Sequence, residues 1–537
     1  MSNTPQPPRD KGLVSTSPSS ANTSAALCEK SARPYVLAAT ILGSSLAFID
    51  GTVVNVALPA LQSAFHATAV DVQWVIEAYA LFLAALLLVG GSLGDHFGRR
   101  RIYSIGVALF TTASIWCGLA PSITQLIAAR AVQGIGGALL VPGSLAIIST
   151  SFPKDERGKA IGIWSAFTSI TAAIGPVTGG WLIEHISWRA VFFINVPIAV
   201  AVLVLTFRFV PESRDEKSTS GLDWLGAALA TTSLGALVYG MIESSSRGFA
   251  NTEVLAALAI GVIALVLFFV VEKRGKNPMM PLVLFRSMEF SGANLVTFLL
   301  YAALSGLFYF LPQNLIQVQM YSATAAGAAL LPFILIMFFF SRWTGSLVAR
   351  YGARLPLVVG PIIAAAGFAL FAMPGTHANY WTTFFPAIVV LGLGFAISVA
   401  PVTTAVMNAV DERWAGIASG VNNAVSRAAG LISIAVFGIV MLQMFAHRFE
   451  QSIHKIDALS PAATSALAAQ RYDLAGVTIP AGLDPALRAA VRQAIDTSFV
   501  AGFRELMLLS ATLAVLSAVA AALMIRGRAI KPQAKSS

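Results

Sequence analysis

"GSLGDHFGRR" (residues 91–100) returns 254 positions later as "GSLVARYGAR" (345–354), each time closing a long apolar run. A second pair keeps nearly the same register. "GIGGALLVPG" leading to "DERGKAIG" (134–162) is echoed by "GLGFAISVAP" leading to "DERWAGIASG" (392–420). Self-similarity at a long fixed offset means that one structural unit is built twice. The chain is therefore expected to consist of two similar halves.

The surroundings of the repeat say that it lies in a membrane. Of 537 residues 56% are hydrophobic and 11% charged, against about 45–50% and 25% in soluble domains. Fourteen apolar runs fall near 34–58, 71–93, 102–120, 123–150, 157–184, 188–210, 222–243, 252–272, 289–315, 322–348, 355–373, 379–405, 414–445 and 499–526. They are far longer than the roughly 10-residue alternating segments of barrels. Lipid offers backbone groups no partner, so each run must be a helix. Two six-helix bundles plus two extra central helices account for fourteen.

Residues 1–33 read as a disordered tail, 34–210 as the first bundle and 211–287 as a linker with the two extra helices. Residues 288–527 form the second bundle, with a long polar loop at 446–498 that holds an amphipathic helix around 484–497, and 528–537 are a second tail. Lys and Arg collect on one side of the runs, at Arg99, Arg100 and Arg101, at Lys154, Arg157 and Lys159, and in both tails. This asymmetry predicts cytoplasmic termini. The formal charge of +10 is therefore topogenic, and nucleic acid is not an expected partner. Cys28 and Cys117 show no metal-ligand spacing, and His447 and His454 have no supporting ligands. No metal and no cofactor are expected.

Asp50, in "SSLAFIDGTVVNVALPAL" (44–61), stands inside an apolar run. An aspartate at a helix centre costs roughly 2.5–3.5 kcal/mol on an insertion scale. It either takes up and releases a proton, or it merely bonds the disrupted backbone near Gly51 and Pro59 or pairs with Arg130. Arg130 in the fourth run cannot lose its proton and must find acceptors. It is a structural partner of a carbonyl or carboxylate, or it senses the protonation of a nearby acid. Glu77 shares a face with Trp74 and Leu81 by i, i+3 and i+4 spacing, as an interfacial acid or a cavity acid. "SGVNNAVSRAAG" (419–430) sets Asn423 and Arg427 four residues apart, as helix glue or substrate contacts. Trp74, Asn55, Gln133, Tyr301 and Gln313 are weaker candidates for lining a cavity, and Asp223 and Glu243 read as structural.

These motifs resemble the major facilitator superfamily, and within it the fourteen-helix drug:proton antiporters of the EmrB/QacA type. Gly91, Asp95, Gly98, Arg99 and Arg100 match the signature loop after the second helix, which the resemblance makes a conformational latch. "DGTVVNVALPAL" looks like the helix-1 signature, and "RAVQGIGGALLVPGSLAII", with Arg130 and Gln133, the helix-4 signature. "GPVTGGWL", with Gly175, Pro176, Gly179 and Gly180, resembles the antiporter pattern of helix 5. "WRAVFFINVPI" looks like the start of helix 6. The second copy departs from the pattern. Ala349 stands opposite Asp95 and Ile388 opposite Arg130, so latch and arginine roles belong to the first copy.

The resemblance implies a proton-driven exporter of amphipathic drugs or toxic small molecules in the bacterial cytoplasmic membrane, with Asp50, Glu77 and Arg130 handling the proton. A monomer is expected, with a periplasmic adaptor left open as a partner. A dedicated exporter of one metabolite and a nutrient symporter are alternatives, and a non-transporting sensor or scaffold a remote one. An enzyme is not expected, since no loop brings nucleophile, base and orienter together.

Overall fold

A computed structural model describes residues 30–214, 223–275, 278–411 and 414–526. Among them lie fourteen helices long and apolar enough to cross a membrane, and no strand. The first six are α1 (Arg33–Phe65), α2 (Ala69–Phe97), α3 (Arg99–Leu119), α4 (Ile123–Ser151), α5 (Lys154–His185) and α6 (Ala190–Phe209). The extra pair is α7 (Trp224–Arg247) and α8 (Thr252–Arg274). The second bundle comprises α9 (Met288–Gln313), α10 (Ala323–Ala329 continued by Leu331–Tyr351), α11 (Arg354–Phe371), α12 (Phe385–Asn408), α13 (Ala415–Ile453) and α14 (Pro485–Met524). The two tails lie outside the described residues, apart from residues 30–33.

Local chemistry sets the helix ends. Thr68 and Asp71 form a reciprocal capping box at the start of α2, with the Asp71 N–H donating to Thr68 Oγ1 at 3.2 Å and the Thr68 N–H to Asp71 Oδ2 at 3.0 Å. Asp223 caps α7 by accepting from the Gly226 N–H at 2.7 Å. α10 is interrupted at Leu330, just before Pro332, where a proline removes an N–H and crowds the preceding turn. After Pro312, α9 ends in a π turn, Asn314–Val318. Gly98 joins α2 to α3 at φ 107°, a conformation L side chains rarely adopt.

α2 packs on α4, α3 on α4, and α1 on both α5 and α6. In the second bundle α11 packs on α12 and α14, and α9 on α13 and α14. α7 and α8 pack on each other, and α7 lies against both α2 and α13. Two seams join the bundles, α5 with α10 and α2 with α13. Under the repeat α2 corresponds to α10 and α5 to α13, so the two seams are copies of one contact.

Hydrogen bonds between the two bundles collect at the end opposite the 95–101 loop. The Thr324 N–H donates to Glu184 Oε2 at 3.2 Å, Gln317 Nε2 to Gln62 Oε1 at 3.2 Å, and Gln73 Nε2 to the Ile434 carbonyl at 3.1 Å. At Gly180 a Cβ would collide with the Ala323 carbonyl, so this glycine lets α5 and α10 touch backbone to backbone.

The polar loop is shorter than its composition suggests. Residues 446–453 continue α13, and 485–498 are the first turns of α14 rather than a separate amphipathic helix. The connection is 454–484, with a short helix at Pro461–Ala469. Gln62 Nε2 donates to the Asp473 carbonyl at 2.9 Å, seating this segment on the end of α1.

Candidate functional site

Asp50 is fully buried within the first bundle, and its carboxylate is held by side chains from two other helices. Arg130 and Gln133, three residues apart on α4, present one face to it. Arg130 Nη1 donates to Asp50 Oδ2, and Gln133 Nε2 donates to Asp50 Oδ1 at 2.8 Å. From α6, Asn195 Nδ2 donates to Asp50 Oδ1 at 3.3 Å and to Ser114 Oγ at 3.0 Å. The Ser114 hydroxyl in turn donates to the Phe192 carbonyl at 2.8 Å. All five polar side chains are 0% exposed. The partners of Asp50 are these side chains, so its carboxylate does not serve the α1 backbone near Gly51 and Pro59.

Arg130 is gripped from several sides. Its Nε donates to the Val75 carbonyl at 3.0 Å and its Nη1 to Gln133 Oε1 at 2.8 Å, while the guanidinium lies 4.3 Å from the Tyr79 ring centroid. The Tyr79 hydroxyl reaches the Ala47 carbonyl at 3.3 Å. Two atoms of the network are enclosed without a protein partner, Arg130 Nη2 and Asn195 Oδ1. The network therefore keeps one donor and one acceptor in reserve.

Such a cluster can do one kind of chemistry. Adding a proton to Asp50 cancels the attraction that holds Arg130, and removing one partner of a buried ion pair costs about 3–5 kcal/mol. Arg130 would then have to turn to other acceptors, and the contacts that tie α4 and α6 to α1 would change with it.

Glu77 is also fully buried, yet neither of its oxygens has a partner. It shares a face of α2 with Gln73 and Leu88, the face that meets α13 of the second bundle. Trp74 meets the extra pair of helices. Its indole N–H donates to Glu243 Oε1 of α7 at 3.2 Å and its ring packs 5.9 Å from Tyr239, so it anchors the extra pair. Glu243 also pairs with Arg247 at 2.9 Å.

Other candidates make local bonds. Asn55 Nδ2 donates to the Gly51 carbonyl at 3.2 Å, Gln313 Nε2 to the Tyr309 carbonyl at 3.0 Å, and Asn423 Nδ2 to the Ser419 carbonyl at 3.2 Å. Tyr301 is half-buried on α9. Asn423 is exposed, and its neighbour Asn422 does the bridging, donating to Asn294 Oδ1 at 3.1 Å and Thr297 Oγ1 at 2.8 Å.

The 91–101 loop makes its contacts within itself, with α4 and with the residues just after α6. Arg99 Nε donates to Asp95 Oδ1 at 2.8 Å, and the Arg99 N–H to the Ser213 carbonyl at 2.9 Å. The Arg100 N–H donates to Glu212 Oε1 at 3.1 Å, and a Cβ on Gly98 would press on that same carboxylate. Gly91 lies on Pro142 of α4. Along α5, Gly175 and Gly179 meet Thr52 and Val53 of α1, and the Pro176 carbonyl meets Gly327 of α10. The helix-5 pattern is thus packed on both sides.

Sequence pattern alone does not single out Asn195, Ser114 or Tyr79. Asn195 carries one signal, an amide two residues before Pro197 in an apolar run. Among the described residues no group of three or more His, Cys, Asp or Glu is arranged to hold a metal.

Residues 40–434 match the family model described as "Major Facilitator Superfamily". The chain is 36% identical to "Multidrug resistance protein Stp" of Mycobacterium tuberculosis over 425 residues, 78% of each chain. It is 32% identical to "Tetracenomycin C resistance and export protein" of Streptomyces glaucescens over 501 residues, 91% of each. Against "Methylenomycin A resistance protein" of Bacillus subtilis the identity is 34%, covering 76% of this chain and 87% of the relative. The fold is shared with the crystal structure of a bacterial homologue of the human lysosomal transporter Spinster. The TM-score is 0.62 at 21% identity, over 92% of this chain and 98% of that one. The family match and the fourteen spans make this chain a transporter rather than an enzyme, and a multi-pass protein of the bacterial cytoplasmic membrane. The chain belongs to the Major Facilitator Superfamily.

Proposed function

We propose that this protein exports amphipathic drugs or toxic small molecules in exchange for protons, by alternating access between its two bundles, as an antiporter of the EmrB/QacA type with both termini cytoplasmic. The observation that carries the reading is the sealed network of Asp50, Arg130, Gln133 and Asn195 across α1, α4 and α6. It is an ionisable group whose proton state decides how three helices hold together. Relatives named for multidrug resistance, tetracenomycin C export and methylenomycin A resistance supply the direction and the class of cargo.

In this reading, Asp50 as a carboxylate locks Arg130, and a proton on Asp50 frees it. The bundles are bonded at the end opposite the 95–101 loop, which in the proposed orientation is the external end. Rocking about the α5–α10 and α2–α13 seams would break the bonds of Gln62, Gln73 and Glu184 and close the cytoplasmic side. The 91–101 loop would then latch that side, with Arg99 and Arg100 released from their partners at 210–213. Moving one charge through 100 mV supplies about 2.3 kcal/mol and each pH unit of gradient about 1.36 kcal/mol. At 100 mV and one pH unit the sum, about 3.7 kcal/mol, is enough to concentrate a neutral substrate outside by a factor of several hundred.

The test is accumulation of fluorescent drugs in a host lacking its own pumps, with and without a protonophore. The wild type is expected to lower accumulation, the protonophore to abolish the effect, and Asp50→Asn to insert normally but fail to export. Full export by Asp50→Asn at wild-type abundance would contradict the assignment of the proton to this network.

A further inference from the structure

One face of α13 is turned toward α2. Gly420 opens it, where a Cβ would lie 3.1 Å from Leu88, and Gly438 closes it, where a Cβ would press on the Gln73 amide. Gly420, Arg427, Ile434 and Gly438 fall on that face, since steps of seven and eleven residues return to nearly the same side of a helix. Arg427 therefore stands at the middle of the seam between the bundles, about 10 Å along the axis from Gly420. On α2, Glu77 belongs to the opposing face, which Gln73 and Leu88 mark out.

The two groups differ in accessibility. Glu77 is 0% exposed and both its oxygens lack partners. Arg427 is half-buried and, among the described residues, pairs with no carboxylate. One turn from Arg427, Asn423 is exposed and spends one amide N–H on the Ser419 carbonyl, leaving the other free. Glu77 is the only acid on these two facing stripes, and it is enclosed. A cationic ligand arriving at the seam would find no carboxylate open to it. An anionic one would find a guanidinium with its fork of donors unspent and an amide N–H beside it.

We propose that Arg427 and Asn423 form an anion-recognising subsite at the α2–α13 seam, so that the exported compounds include amphipathic organic acids carrying a carboxylate, sulfonate or phenolate. This deepens the export reading and rests on it. The acidic head docks on Arg427 and Asn423 and the apolar body lies along the seam. Proton exchange remains with Asp50.

Three probes share one fluorophore and differ in charge: dansylglycine (anionic), dansylglycinamide (neutral) and dansylcadaverine (cationic). Their transport is measured in proteoliposomes of the full chain under an imposed pH gradient. The wild type is expected to move dansylglycine with a lower KM than the other two. Arg427→Gln is expected to raise the KM for dansylglycine at least tenfold more than that for dansylglycinamide, and Arg427→Lys to recover part of the loss. Gel-filtration profiles of both variants check that they fold. If the wild type transports the neutral or cationic probe and not dansylglycine, the anion site is overturned while export stands. An equal rise in KM for all three probes in Arg427→Gln overturns the anion site in the same way. If no probe moves under the gradient, the export reading falls, and this proposal with it.

Discussion

The two bundles share a fold and part company at its centre. In the first, α1, α4 and α6 meet around Asp50, Arg130, Gln133 and Asn195, all fully enclosed. In the second, the repeat puts Ile388 where Arg130 stands and Leu391 where Gln133 stands, both buried. The stretch 304–308, "LSGLF", takes the place of Asp50. What fills that core is aromatic. Phe308 packs edge-on to Phe333 at 5.4 Å, Phe333 lies 5.8 Å from Phe395, and Phe368 lies 6.4 Å from Phe395. Dispersion and quadrupole contacts do not depend on protons. The comparison teaches a division of labour, in which one bundle is held by contacts a proton can dissolve and the other by contacts it cannot.

The sharpest way to break that division is Arg130→Met, which leaves Asp50 enclosed with only Gln133 and Asn195. A loss of about 3–5 kcal/mol of stability is expected, together with all proton-linked transport. Adding Asp50→Asn should return part of the stability and none of the transport, as read by thermal unfolding and by vesicle assays. In the other bundle, Phe395→Leu loosens the aromatic cluster at a cost of about 1–2 kcal/mol. It should lower the unfolding temperature while the ratio of protons to substrate stays unchanged. A changed ratio would mean that the second core takes part in coupling.

The smallest expected effect lies outside the membrane, at Asp473 in the 454–484 segment. Burial, and secondarily Asp71, raises its carboxyl above the ordinary range. The seated segment therefore holds the proton more tightly than a released one. Its packing on Gln62 is firm at low pH and weakens as pH rises through the raised value. Hydrogen exchange of amides 470–478 should quicken across that window in the wild type, and Asp473→Asn should flatten the response.

How much of this is legible in the sequence follows from what each signal encodes. Apolar length counts spans because lipid tolerates little else, and all fourteen runs are helices. It does not say where a helix stops once outside the lipid, which is why α13 and α14 run on through 446–453 and 485–498. Periodicity tells which residues share a face but not which neighbour that face meets. Trp74 thus reads as a cavity residue, and the neighbour it meets is Glu243 on α7. Asn422 and Asn423 differ by about 100° of helix rotation, and only packing decides which of them bridges to Asn294. The acid at Asp50 and the arginine at Arg130 are both conspicuous, because charge in an apolar run needs a reason. Their joining, and the part played by Asn195, depend on how three helices cross, which no local pattern records.

The central claim is that the proton exchanged for substrate is carried by Asp50. The direct measurement is proton release from purified protein in weakly buffered detergent solution when a transported drug is added. The wild type should release protons in proportion to drug bound, and Asp50→Asn should bind the drug and release none. Equal release from Asp50→Asn would contradict the account and leave Glu77 to be tested in its place.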